Sequence, residues 1–452
     1  MSLAKVTIPK EKGRISGTLL LLISFSSVFF PRLLVTAGLP ATTNFAHFIV
    51  VPLCFAIGLA HIHTVSKKQA AVTQTLLLLA FILLVIELIS ALLNDAGAIN
   101  AVLSFLLLAE PVIFLVSLIG VNFTPKRYSF FRNWIVRFSI FHILLSLLQW
   151  ILLNVGIMKV GELGVVQDNI QGVFYLSGGG HVVAATVSMY FGVYYYISTR
   201  TYEKSRGLGY STSLLILSAA FLQLLVSDAK QVAFVMIVAW GMLALSKFQD
   251  MGKFIRYVLM IAAIVAALIW GMNNLPLFRA FGIWLRPDIY GSDGVATQLK
   301  LASLRIISYH SESPLNWFFG LGPGHTVSRL GGWMLPKYQD LLLPLGATIH
   351  PASQQVWDAV WGTWIGNKSS MFSPLFGWAG IWGDIGALGL VTYLSIGVTI
   401  WKRLCADDFS RFILLTMVVH GFIFSQLEEP GFMLYSATLI FLRWKENQFL
   451  KA

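Results

Sequence analysis

The chain has 452 residues, 57% of them hydrophobic and only 12% charged, with a mean hydropathy of +0.75. Soluble domains carry about 25% charged residues, so this composition excludes an ordinary water-soluble protein and indicates a polytopic membrane protein. The formal net charge of +12 raises nucleic acid as a partner, but the placement of the cations, given below, argues against it.

The N-terminus places Lys5, Lys10, Lys12 and Arg14 ahead of an apolar run. Many more such runs follow, so it reads as an uncleaved first helix rather than a signal peptide. A bilayer core about 30 Å thick needs about 20 apolar residues per helix. That ruler predicts about twelve spans, at 15–37, 43–62, 70–93, 99–120, 134–155, 181–199, 210–227, 230–246, 255–272, 375–401, 411–427 and 431–444. The expected fold class is an all-α polytopic integral membrane protein with one large extracytoplasmic loop between the ninth and tenth spans. Three parts follow: a transmembrane scaffold at 1–272, the loop at 273–372, and the C-terminal spans within 373–452.

Lysine and arginine sort by side. Groups such as Lys67 and Lys68, Lys126 to Arg137, Lys247 to Arg256, and Lys402 with Arg403 fall on one set of loops. The opposite short loops hold only Arg32, Lys159 and Lys230. The positive-inside rule puts both termini in the cytoplasm and the large loop outside. Most of the positive charge is therefore topology signal, and no nucleic-acid partner is expected. Cys54, in an apolar segment, and Cys405, in a basic turn, offer neither a disulfide framework nor a metal motif.

Within the spans, Glu87, Glu110 and Asp384 each mark either a site or a helix–helix hydrogen bond, because a charge in the bilayer is costly unless paired. In the turn Ser227-Asp228-Ala229-Lys230, the lysine opens an outward-facing helix. A helix start attracts anions such as phosphate, and the alternative is a snorkelling lysine paired with Asp228.

The large loop concentrates the remaining chemistry, with Arg286, Lys300, Arg305 and Arg329 among its cations and six tryptophans. Lys300 and Arg305 lie on a predicted helix, 296–310. Arginine forks match pyrophosphate oxygens. Gly320, Gly322 and Gly324 follow no strand, so they form no nucleotide fingerprint; they permit a tight turn that delivers His325. His310, His325 and His350 are candidate bases. The aromatic residues, Trp317 among them, read either as an interfacial belt or as platforms for sugar rings. Trp357, Trp361 and Trp364 recur at the spacing of an interfacial helix.

In order, then, come an outward basic turn, a large late loop with a basic helix, the Pro-x-x-x-x-x-Gly-x-Gly stretch Pro314 to Gly322, and a span containing Gly383-Asp384-Ile385-Gly386-Ala387-Leu388-Gly389. Over about 165–400 this resembles the O-antigen polymerase and O-antigen ligase family of bacterial envelope enzymes. The resemblance implies a GT-C-like membrane glycosyltransferase of the inner membrane. Donor and acceptor would be undecaprenyl-pyrophosphate-linked glycans among membrane lipids, with a chain-length regulator as a further partner and no metal, nucleotide sugar or other cofactor. It further implies that outward cations hold the pyrophosphate. The expected substrate-binding residues are Lys230, Lys300, Arg286, Arg329 and Trp317, and the expected catalytic residues are His325, His350 and Arg305.

The chain departs from the family pattern twice. Lys230 stands where an arginine is usual, and Ser373-Pro374-Leu375 stands where a His-Asn pair often precedes the Gly-acid span. The second departure favours a polymerase over a ligase. A transporter or flippase is the expectation from a different class, and it would carry internal repeats and interrupted helices.

Overall fold

The computed structural model describes residues 16–59, 66–160, 165–175, 179–201, 210–275, 278, 289, 291–366, 376–423 and 425–451, and no strand occurs among them. A helix falls on each of the twelve expected spans. α1 (Gly17–Phe29) and α2 (Pro31–Thr36) share the first, separated where Pro31 has no N–H to continue the ladder. α3 (His47–Leu59), α4 (Lys67–Leu93), α5 (Ala98–Gly120) and α6 (Pro125–Asn154) follow. Next come α7 (Gly180–Thr201), α8 (Tyr210–Val226), α9 (Lys230–Leu245) and α10 (Met251–Asn274).

Short polar side chains start several of these helices by accepting a free first-turn N–H. Ser16 takes Leu19 N, Ser66 takes Gln69 N and Thr124 takes Arg127 N.

Six helical runs are long and apolar enough to cross a membrane: Ala41–Leu59, Lys67–Leu93, Ala98–Gly120, Pro125–Asn154, Met251–Asn274 and Gly377–Arg403. Gly17–Phe29, Tyr210–Val226 and Lys230–Leu245 are apolar but shorter. Exposure supports a lipid surround. α10 buries only Gly271 and leaves Ile255, Leu259 and Trp270 facing outward. A continuous apolar face of that kind is disfavoured in water and is at no cost among lipid tails.

Between α10 and the next long helix, the described residues 291–366 pack against the bundle as a cap. It contains α11 (Val295–His310), α12 (Pro314–Phe319) and α13 (Pro351–Trp361). α11 matches the helix expected at 296–310. Of the tryptophan series, Trp357 and Trp361 lie on α13 with their rings stacked at 5.1 Å, whereas Trp364 lies beyond its end. Two buried clusters fasten the cap. Phe48, Leu103 and Leu107 of the bundle pack with Leu330, Met334 and Leu335. Ile307, Leu321, Val327 and Val356 pack with Phe376 and Ala379.

The chain closes with α14 (Gly377–Arg403), α15 (Asp408–His420) and α16 (Pro430–Lys451). α14 is broken at Gly386, whose φ of 66° and ψ of −169° are not helical. The rings of Trp378 and Tyr393 are consequently 6.3 Å apart, although fifteen residues of straight helix would separate them by about 22 Å along the axis.

Candidate functional site

The glycine-rich turn of the cap lies in the break of α14. Breaking a helix leaves carbonyls without partners, and here the turn supplies the donors. Leu321 N donates to Gly383 O at 2.7 Å and Gly322 N to Asp384 O at 3.2 Å, while Ser90 Oγ on α4 donates to Asp384 O at 2.8 Å. The Asp384 carboxylate accepts from Gly324 N at 2.7 Å, Thr326 N at 2.9 Å and Thr326 Oγ1 at 2.6 Å. The two backbones approach so closely that a Cβ on Gly320 would lie 2.4 Å from Asp384 C, and one on Gly386 2.3 Å from Phe318 C. Four amides of the turn are thus spent on holding the cap to the bundle, and Asp384 is structural.

His325 is held by the same turn. Its Nδ1 is 2.9 Å from Leu321 O and its Nε2 2.8 Å from Thr348 Oγ1. His350 stacks on it at 5.3 Å and caps α13, its Nδ1 accepting Ala352 N at 3.1 Å. His310 packs edge-on against His350 at 5.1 Å, with Nε2 2.8 Å from Gln355 Oε1. Burial lowers the His325 pKa; for His350, burial together with the neighbouring imidazoles pushes it down to about 4. The two expected bases therefore sit side by side, with their ring nitrogens largely committed to the fold.

A different group of side chains meets where the cap joins α2, α3 and α5. The Trp333 indole has three cations on it: Arg32 at 5.2 Å, Arg329 at 5.1 Å and Lys337 at 5.1 Å from the ring centroid. The Arg329 guanidinium pairs with Glu429, and its amide donates to Glu428 Oε2. A crevice of about 50 Å³ opens here, lined by Arg32, Asn44, His47, Arg329, Trp333 and Glu429. The His47 Nδ1 is 2.9 and 2.8 Å from the two oxygens of Glu110, which is fully buried on α5. The carbonyl oxygen of the Asn44 side chain is buried without a partner among the described residues. Three cations on one aromatic ring, with Glu429 as the carboxylate that lines the crevice and Glu428 and Glu110 behind it, suit an anion carrying an apolar or sugar group. Among the described residues no group of three or more His, Cys, Asp or Glu is placed to hold a metal.

The remaining expected residues are dispersed. Lys230 pairs with Asp228 at 2.9 Å at the start of α9. The Lys300 ammonium donates to Ile423 O at 2.6 Å and lies 5.9 Å from the Phe376 ring; burial pushes its pKa down to about 7. That weakens it as a fixed cation at neutral pH. Arg305 is exposed on α11, and Trp317 is exposed with its ring 5.6 Å from Trp382. Arg286 lies outside the described residues. Of the expected set, only Arg329 lines the crevice. Arg32, His47, Trp333 and Glu429 were not singled out as site residues, although a signal existed: an intramembrane Glu110 requires a partner, and Arg32 was one of three cations on its set of short loops.

These features define a helical protein with apolar helices suited to a membrane and a cationic, aromatic crevice under a cap. No protein-family model and no curated protein matches the chain.

Proposed function

We propose that the protein is a membrane glycosyltransferase that polymerises undecaprenyl-pyrophosphate-linked repeat units into surface polysaccharide at the outer face of the bacterial inner membrane. In this reading the chain crosses the membrane about twelve times, with both termini in the cytoplasm and the 273–372 loop outside. The observation that carries it is the convergence of Arg32, Arg329 and Lys337 on Trp333. Transfer from a polyprenyl pyrophosphate needs cations where the leaving group gains charge, which is electrostatic catalysis. Planar guanidinium forks supply it in a partly dry crevice, and the indole face offers stacking to a sugar or isoprenoid. The pyrophosphate then belongs at Arg32 and Arg329 rather than at Lys230, Lys300 and Arg305.

Transfer to a different acceptor, as in a ligase, uses the same donor chemistry. A transporter draws some support from the interrupted α14. Its freed carbonyls, however, are taken by Leu321, Gly322 and Ser90 rather than offered to an ion.

Surface polysaccharide from a deletion strain, resolved by size, tests the reading. Single repeat units on the acceptor with no ladder are expected. Full-length chains stranded on the lipid carrier would mean a ligase, and an unchanged profile would reject the glycosyltransferase.

A further inference from the structure

We propose that His47, held by Glu110, is the general base that takes the proton of the attacking sugar hydroxyl, an assignment that rests on the glycosyltransferase reading above. In the proposed tautomer Nδ1 carries the proton and donates to the Glu110 carboxylate, whose two oxygens lie 2.9 and 2.8 Å from it. The lone pair is thereby placed on Nε2. His47 lines the crevice beside Arg32 and Arg329, and its Nε2 has no partner among the described residues. Unlike the orphan nitrogens of His181 and His420, it is not sealed inside the protein.

Elimination among the other described imidazoles leads to the same residue. His310 has its Nε2 on Gln355 Oε1 and does not line the crevice. His325 has both nitrogens engaged. The Nδ1 of His350 accepts Ala352 N, so its Nε2 bears the hydrogen. His142 bonds Ala184 O through one nitrogen and Val173 N through the other. His181 lies 3.6 Å from Asp168, but its remaining nitrogen is buried and closed off, and both nitrogens of His420 are closed off. Among the described residues, His47 alone combines a fixing carboxylate, an open nitrogen and a position among cations. A buried glutamate in an apolar helix is costly and persists where it has work to do.

The step balances without a cofactor. The acceptor hydroxyl gives its proton to His47 Nε2, and its oxygen forms the new bond to the anomeric carbon. The bond from that carbon to the pyrophosphate oxygen breaks, and its electron pair leaves with the pyrophosphate, whose charge Arg32 and Arg329 meet. The imidazolium is stabilised by Glu110 until its proton passes to the departing pyrophosphate or to solvent. His47 is catalytic in this scheme, and Glu110 is a positioning residue.

The test uses the full-length protein in lipid nanodiscs, with lipid-linked glycan extracted from the deletion strain as substrate and inorganic pyrophosphate as a binding probe. His47→Gln is expected to lose at least about 100-fold in turnover and to bind pyrophosphate within about two-fold of wild type, which shows that the crevice is still formed. His47→Ala should regain turnover with added imidazole, which a merely structural histidine would not. Glu110→Gln should lower kcat more than it changes KM, since the side chain that orients the His47 ring no longer accepts through two oxygens. A His47→Gln protein that turns over near the wild-type rate overturns the base assignment and leaves the glycosyltransferase standing. A wild-type protein that makes no glycosidic bond overturns the glycosyltransferase, and the assignment with it.

Discussion

Arg329 has its guanidinium on Glu429, its amide on Glu428 and its plane near Trp333. Glu429 thus occupies the place an incoming phosphate oxygen would take, and a ligand must displace it. Arg32 is hydrogen-bonded to Tyr338 and lies within the field of Glu429, but no carboxylate among the described residues is within ion-pair distance of it, which makes it the cleaner residue to remove. Arg32→Ala is expected to weaken binding of inorganic pyrophosphate at least about ten-fold, the loss of one charge-assisted contact. Glu429→Gln should tighten it several-fold, because the competitor loses its charge. Isothermal titration reads both, and equal affinities across the three proteins would remove the crevice as an anion site. At this scale the sequence was a poor guide. Arg329 was legible as one loop cation among several, but nothing in the pattern distinguished it from Arg305, which is exposed on α11.

The decisive element is α14. Its glycine-rich stretch around Asp384 was visible in the sequence, as was the glycine turn at 320–324, but not that each completes the other. The break at Gly386 leaves carbonyls that the turn's amides and Ser90 Oγ reach, and the turn is anchored in return by the Asp384 carboxylate. Both Gly386 and Gly320 have backbone angles that are essentially restricted to glycine, and both approach the opposite backbone to less than a Cβ contact allows. Gly386→Ala and Gly320→Ala are each expected to cost more than about 2 kcal/mol by strain and lost hydrogen bonds. They should appear as a large fall in melting temperature and as new protease cleavage in the cap. Gly397→Ala, further along the same helix with open space around it, should be neutral or slightly stabilising. Equal behaviour of the three would dissolve the interlock.

Across the whole molecule, the turn between α15 and α16 links the bundle to the cap through Glu428. Burial and the nearby Asp384 carboxylate push the Glu428 pKa up to about 8. An unfolded glutamate releases its proton near its model-peptide value of about 4.3. Between those two values the folded chain holds a proton that the unfolded chain has lost. Stability from this group is therefore full below the lower value and declines as the pH rises toward 8. Melting temperature should fall between pH 5 and pH 8, and Glu428→Gln should flatten that slope. A wild-type slope unchanged by the substitution would assign the effect to other groups.

Length and apolar runs determined by themselves that the chain is helical, about where its long helices lie though not their ends, and that it suits a membrane. Each of these depends on residues close in sequence: a bilayer-length apolar run, a capping serine, a proline that interrupts a ladder. The site depended on none of them. Arg32, His47, Glu110, the Arg329–Trp333 turn and Glu429 come from five separate places in the chain and meet only because α2, α3, α5, the cap and the residue before α16 converge. Conversely, Lys300 and Arg305 share a helix with regular spacing, yet the first is bonded to Ile423 and the second faces away. Local pattern sets which residues share a helix; only packing between distant helices sets which charges share a crevice, because the pairing energies arise between side chains that the sequence separates by up to several hundred positions.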